Sequence, residues 1–84
     1  MLKTLDRFKI GERGIVLKVN AGSDIKRVIF DMGITPGAEI ILRKYAPFGD
    51  PIEISLRNYE LSIRKVDASK VVLEVEEDSG VKRR

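Results

Sequence analysis

Apolar and polar residues alternate strictly over two stretches of the chain, Ile52-Glu53-Ile54-Ser55-Leu56 and Glu60-Leu61-Ser62-Ile63-Arg64. A period of two sends successive side chains to opposite faces of an extended strand, so Ile52, Ile54 and Leu56 are expected to point inward together. Three further runs rich in β-formers predict strands: Ile15-Val16-Leu17-Lys18-Val19, Glu39 to Tyr45, and Val71-Val72-Leu73-Glu74-Val75. Turn signals separate them. Gly11 and Gly14 bracket a turn before the first strand, and Asn20-Ala21-Gly22 ends it. Pro36-Gly37, the loop Ala46-Pro47-Phe48-Gly49-Asp50-Pro51 and the turn Arg57-Asn58-Tyr59 punctuate the rest. Val66-Asp67-Ala68-Ser69 reads as a short connector that a 3₁₀ turn would fit.

One segment has the helical period instead. Ile25, Val28, Ile29 and Met32 fall at i, i+3, i+4 and i+7, an apolar stripe about two turns long. Ser23 is an expected N-cap, Asp24 complements the helix dipole, and Gly33 stands where a left-handed residue would end the helix. Within the lead-in 1–12, Leu5, Phe8 and Ile10 are expected to pack one helical turn onto the core. Five short strands and one helix are too few for an ordinary two-sheet sandwich. A meander whose first and last strands meet hides its edges more economically, so the expected fold is mostly β: a small SH3-like barrel of about five strands with one short inserted α-helix. Residues 1–76 form the barrel in this reading, and 77–84 form a charged tail without structure.

The composition removes whole classes of chemistry. The chain has 84 residues, enough for one domain, and neither histidine nor cysteine. It therefore lacks Cys–His and Ser–His–Asp nucleophile systems, imidazole acid–base chemistry, and thiolate or imidazole metal ligands, and the expectation is a binding protein, not an enzyme, with no cofactor. The net charge of +3 is less telling than it looks: Lys82, Arg83 and Arg84 supply three of the 16 basic residues, and the other 13 balance the 13 acidic ones. A nucleic-acid module concentrates positive charge on a folded face and offers stacking aromatics. Here the five aromatics, Phe8, Phe30, Tyr45, Phe48 and Tyr59, are scattered, and nucleic acid is not expected. No apolar run approaches the ~20 residues of a membrane span and the start has no apolar leader segment, so the expected location is the cytosol.

Two surfaces are candidates for partner binding. The first is the proline loop, Tyr45, Pro47, Phe48, Gly49, Asp50 and Pro51, whose prolines restrict the backbone before any partner arrives. Phe48 at its tip is read either as an exposed contact or as a lid folded onto the barrel. The second is the corner formed by Ile34, Pro36 and Tyr59. If 39–45 and 52–57 pair as a hairpin, the two surfaces lie at opposite ends of it, about 17–20 Å apart. Gly33 and Gly37 are read as turn residues, Met32 as core, and Arg64 as surface.

The run Met32-Gly33-Ile34-Thr35-Pro36-Gly37 resembles the FeoA family, small accessory proteins of bacterial ferrous-iron uptake. The likeness continues in order through Ile29 and Ile40, the loop Ala46-Pro47-Phe48-Gly49-Asp50-Pro51-Ile52, and Leu61-Ser62-Ile63-Arg64 followed by Ala68, covering roughly residues 5–75. The resemblance implies an SH3-like barrel with an inserted helix. It further implies action on FeoB, a membrane ferrous-iron permease with a cytosolic GTPase domain, with recruitment to the inner face of the cell membrane through that partner. A related domain ends iron-dependent repressors; with no DNA-binding helices before the barrel, the free-standing accessory protein is the favoured reading. Departures are small: Val28-Ile29 where many members place a leucine, and the longer charged tail. Two alternatives stay open beside it. One is a metal-responsive module with Asp50, Glu53 or Glu76-Glu77-Asp78 as oxygen ligands; the other, weaker, is a nucleic-acid-binding barrel. An uncovered edge strand would also allow a homodimer.

Overall fold

The computed structural model describes residues 1–76. Six strands form one antiparallel sheet: β1 (Leu2–Thr4), β2 (Arg13–Val19), β3 (Glu39–Tyr45), β4 (Ile52–Leu56), β5 (Tyr59–Ile63) and β6 (Val71–Glu74), in the spatial order β1-β6-β2-β3-β4-β5. Helix α1 (Ser23–Asp31) connects β2 to β3, and the single turn α2 (Lys65–Ala68) connects β5 to β6. The consecutive strands β3, β4 and β5 make a meander, with Tyr45↔Ile52 at one end of the first hairpin and Ile40↔Leu56 at the other. Alternation holds as expected: Ile52, Ile54 and Leu56 are wholly buried, opposite Ile40 and Leu42. Each such aliphatic side chain contributes about 1.5–3 kcal/mol by leaving water.

The sixth strand comes from the lead-in. In place of the expected helical turn, residues 2–4 pair with β6 (Leu2↔Glu74, Lys3↔Leu73, Thr4↔Val72), and only Leu5–Arg7 coils, as a 3₁₀ turn. The ladder on β6 satisfies backbone groups that a lone helical turn would leave open. Leu5 and Phe8 enter the core, whereas Ile10 stays in solvent. Gly14, read as a turn residue, lies inside β2, because Phe8 and β6 crowd that position: a Cβ there would come within 3.0 Å of both Phe8 Cζ and the Glu74 carbonyl oxygen.

Helix α1 begins one residue earlier than its sequence suggests. Gly22 is the N-cap, its carbonyl accepting from Lys26 N–H at 2.8 Å, and Ser23 is already helical. The apolar stripe is also only partly used. Ile29 is buried and Phe30 and Met32 pack against the core, but Ile25 and Val28 are exposed, because the face turned to the barrel is centred on Lys26, Ile29 and Phe30, to one side of the apolar stripe. Its end follows the expected left-handed stop. Gly33 has φ +95°, Gly33 N–H bonds the Phe30 carbonyl and Ile34 N–H the Ile29 carbonyl, the paired bonds of a Schellman motif.

The outer strands β1 and β5 are not hydrogen-bonded to each other. One end of the gap between them is bridged where α2 packs on the 3₁₀ turn, burying Ala68 and Leu5, while Glu60 and Ser62 on the edge of β5 stay exposed. That contact turns a curled sheet into a small barrel. The connector read as a possible 3₁₀ turn is α-helical, with Ala68 N–H bonding the Arg64 carbonyl.

Candidate functional site

The β3–β4 loop is held from within and from both sides. Gly49 N–H bonds the Ala46 carbonyl at 2.7 Å, with Gly49 at φ +89°, and Ala46 N–H bonds the Pro51 carbonyl at 2.9 Å, the Asp50–Pro51 peptide being cis. Asp50 Oδ1 accepts from the backbone N–H of Lys65 at 3.0 Å, which ties the loop to the start of α2. Lys65 Nζ stands 5.3 Å from the centre of the Tyr45 ring, and the Tyr45 hydroxyl donates to the Phe8 carbonyl. Tyr45 is thereby half-buried and Pro47 and Pro51 exposed. Phe48, at the tip, is 99% exposed. The ring is therefore not a lid folded onto the barrel: a phenyl group that gains nothing from folding stands in solvent on a loop already ordered.

Lys65 joins this site without a signal in the sequence. No local pattern marks it, since its role depends on Asp50 and Tyr45 arriving from another hairpin. Val66, the next residue of α2, is likewise exposed.

At the opposite end, the Tyr59 hydroxyl donates to the Met32 carbonyl, clasping the β4–β5 hairpin to the end of α1. The chain then turns at Thr35-Pro36-Gly37-Ala38, with Ala38 N–H on the Thr35 carbonyl at 3.0 Å and Gly37 at φ +94°, the arrangement of a type II turn. This corner differs from the expected contact surface in one residue. Ile34 is fully buried because it supplies the apolar contact of the helix stop, so of the three expected residues Pro36 and Tyr59 alone face solvent. The sheet keeps Phe48 and Tyr59 at opposite ends of the β3–β4 hairpin.

Among the described residues the oxygen ligands considered for a metal do not converge. Asp50 is engaged by Lys65, and Glu53 faces Lys44 at 3.9 Å. Among the described residues no group of three or more Asp and Glu side chains could hold an ion; Glu77 and Asp78 lie outside them. Nor do the aromatics build a stacking platform, with Phe8 buried, Tyr45 bonded inward, and Phe48 and Tyr59 far apart in the fold. The most enclosed ion pair lies elsewhere, where Lys3 Nζ grips both Glu12 oxygens at 3.0 and 2.9 Å. Burial works against the Glu12 charge, but the bonds from Lys3 and from Lys9 N–H, with both ammonium charges, outweigh it and hold its carboxyl below the ordinary range.

Known proteins share this architecture. Residues 3–75 match the FeoA domain. A Clostridium acetobutylicum FeoA-like protein solved by NMR superposes with a TM-score of 0.85 at 35% identity, over 99% of this chain and 96% of its own. The zinc complex of Stenotrophomonas maltophilia FeoA, described as an SH3 domain protein, shares the fold at a TM-score of 0.74 and 22% identity, over 86% of this chain and 89% of its own. A Porphyromonas gingivalis Fe(2+) transport protein A/Fe(2+) transporter FeoB fusion protein is 27% identical over 71 residues, 84% of this chain. The chain spans 8% of the length of that curated relative. With the helix stop at Met32-Gly33, the type II turn at Pro36-Gly37 and the braced loop at 46–51 all in place, the chain belongs to the FeoA family of ferrous-iron transport proteins.

Proposed function

We propose that the protein is an accessory module that docks on the cytosolic part of a FeoB-type ferrous-iron transporter through the Phe48 loop. It works by binding, without catalysis. The observation that carries the reading is the Porphyromonas gingivalis fusion, in which a segment similar to this chain and a transporter are one polypeptide. Domains fused in one chain meet at high effective concentration, an arrangement that suits a standing contact. The geometry supports the loop as the contact: Phe48 is an exposed aromatic anchor, and Asp50, Lys65 and Tyr45 hold the loop so that little ordering entropy is lost on docking. Docking would bias the transporter's GTPase domain, or its gate, by binding one conformation more tightly than another. No helix among the described residues is long and apolar enough to cross a membrane, so this module would reach the membrane through its partner.

The test is an anaerobic ¹⁵N–¹H NMR titration with the soluble GTPase domain of the transporter. Shifts confined to residues 45–51 and 65–66 support the loop. Shifts confined to 32–37 and 59 would move the contact to the other end and overturn the loop. No shifts at about 1 mM, a concentration that populates even weak complexes, would overturn docking on that domain.

A further inference from the structure

The outer edge of β5 carries unused main-chain hydrogen-bonding groups. The two-residue connection between Leu56 and Tyr59 makes these two a hydrogen-bonded pair, so Leu61 and Ile63 also bond to β4. The N–H and C=O of Glu60 and Ser62 therefore point away from β4. Among the described residues nothing on that side bonds them. The opposite edge is a poorer template: β1 is three residues long, and Met1 beside it is engaged by Glu74 and Val75. Natural sheets usually blunt an open edge with charged side chains, proline or a bulge; β5 has neither proline nor bulge, and Glu60 is its one charge.

We propose that β5 pairs with β5 of a second copy of this chain, antiparallel about a two-fold axis at Leu61, to give a symmetric dimer with a continuous sheet. The register follows from the sequence of the strand. Centred on Leu61, Glu60 faces the partner's Ser62 and Ser62 faces the partner's Glu60, which joins all the outward N–H and C=O groups in four hydrogen bonds and sets a carboxylate opposite a hydroxyl. Centred on Glu60, the strands would bring two carboxylates face to face, which is unfavourable. Centred on Ser62, Glu60 would run against Arg64, where the strand has ended and the chain turns into α2. Only the Leu61 register is both complete and free of like-charge pairs. Four hydrogen bonds along one short strand pair make a small contact, and weak association with Kd of about 0.1–1 mM is expected. It leaves the Phe48 loop free, since that loop sits between β3 and β4.

The experiment is NMR on the isolated protein between about 0.05 and 2 mM, a range that brackets such a Kd, reading amide shifts and translational diffusion. The expected result is a concentration-dependent movement of Glu60, Leu61 and Ser62, with diffusion slowing toward that of a dimer. Ser62→Pro removes an outward donor without touching the β4 ladder and is expected to abolish the effect. Two substitutions read the register and stay informative if the proline variant does not fold. In a Glu53→Gln background, which removes the charge facing residue 62 within its own chain, Ser62→Arg creates two Glu60–Arg pairs and is expected to tighten association about fivefold, and Ser62→Glu creates two like-charge pairs and is expected to weaken it by a similar factor. Spectra independent of concentration to about 2 mM, well above the expected Kd, overturn the proposal. So does equal association by the arginine and glutamate variants. Movement of 60–62 only when another protein is added would assign the edge to that protein and overturn it equally.

Discussion

The hydroxyl of Tyr59 occupies the space where a side chain on Gly33 would begin: a Cβ built on Gly33 would lie 2.2 Å from that oxygen and 3.2 Å from Leu56 Cδ2. Gly33 is thus constrained twice, by its φ of +95° and by the tyrosine that reaches past it to the Met32 carbonyl. Gly33→Ala is expected to cost more than the ~1–2 kcal/mol of a left-handed alanine alone. Tyr59→Phe removes one hydrogen bond and is expected to cost about 0.5–1.5 kcal/mol. The two should not add, because the phenylalanine leaves room for the new methyl group. Urea denaturation of the double-mutant cycle checks this, and strict additivity would refute the steric account.

Phe48→Ala is expected to leave stability within about 0.5 kcal/mol of the parent, since the ring contributes nothing to the core. The same change should weaken transporter-domain binding by about 1–2 kcal/mol if the ring fills a pocket. Calorimetry for binding, beside thermal melts, separates the two effects. Asp50→Ala should do the reverse in part, lowering stability by about 0.5–1.5 kcal/mol through loss of the bond to Lys65 N–H. Unchanged affinity in a folded Phe48→Ala protein would remove the loop from the mechanism.

The β4–β5 hairpin puts its left-handed backbone on a long side chain, with the more tolerant asparagine beside it. Arg57, not Asn58, has φ +58°. A side chain with a Cβ is strained there, and Arg57→Gly should stabilise the protein by about 0.5–1 kcal/mol, the left-handed penalty less the extra freedom of glycine in the unfolded chain. Chemical denaturation with an unchanged m-value would verify the gain; a loss would mean that the arginine side chain makes a compensating contact.

Acid should act through Glu12. Its folded carboxyl titrates below its unfolded value, so the stability it contributes is fully present above the ordinary carboxylate range. That contribution declines as the pH falls through the depressed folded value. Glu12→Gln is expected to lower stability at neutral pH and to flatten the loss of stability on acidification. Melting temperatures of both proteins from pH 7 to pH 2 test the sign; parallel curves would contradict it.

Much of this architecture can be read from local patterns, and the parts that cannot share a cause. Ile52, Ile54 and Leu56 alternate because β4 has one wet face, and Met32-Gly33 and Pro36-Gly37 signal stops that are decided within four residues. Strand β1 is three residues long, too short for any period, and its partner β6 lies some seventy residues away in the chain. Ile25 and Val28 carry the correct helical spacing, yet spacing does not say how far round a helix the core extends. The loop shows the same division. Its prolines and glycine announce a turn, whereas the exposure of Phe48 and the brace from Lys65 depend on where β5 and α2 pass. Ile34 reads as surface because its motif neighbours are turn residues, whereas its burial follows from the helix stop they form.

Val75 N–H bonds the carbonyl of Met1 at 2.8 Å, so the first strand and the last leave the barrel side by side. A neighbouring domain joined at either end would pull on the same corner. Such a body hangs from one pivot and can swivel as a unit without stretching its sheet. For a module linked covalently to a larger protein, linker length alone would then set the volume it searches. Exchanging a link at one end for a link at the other would leave that volume almost unchanged.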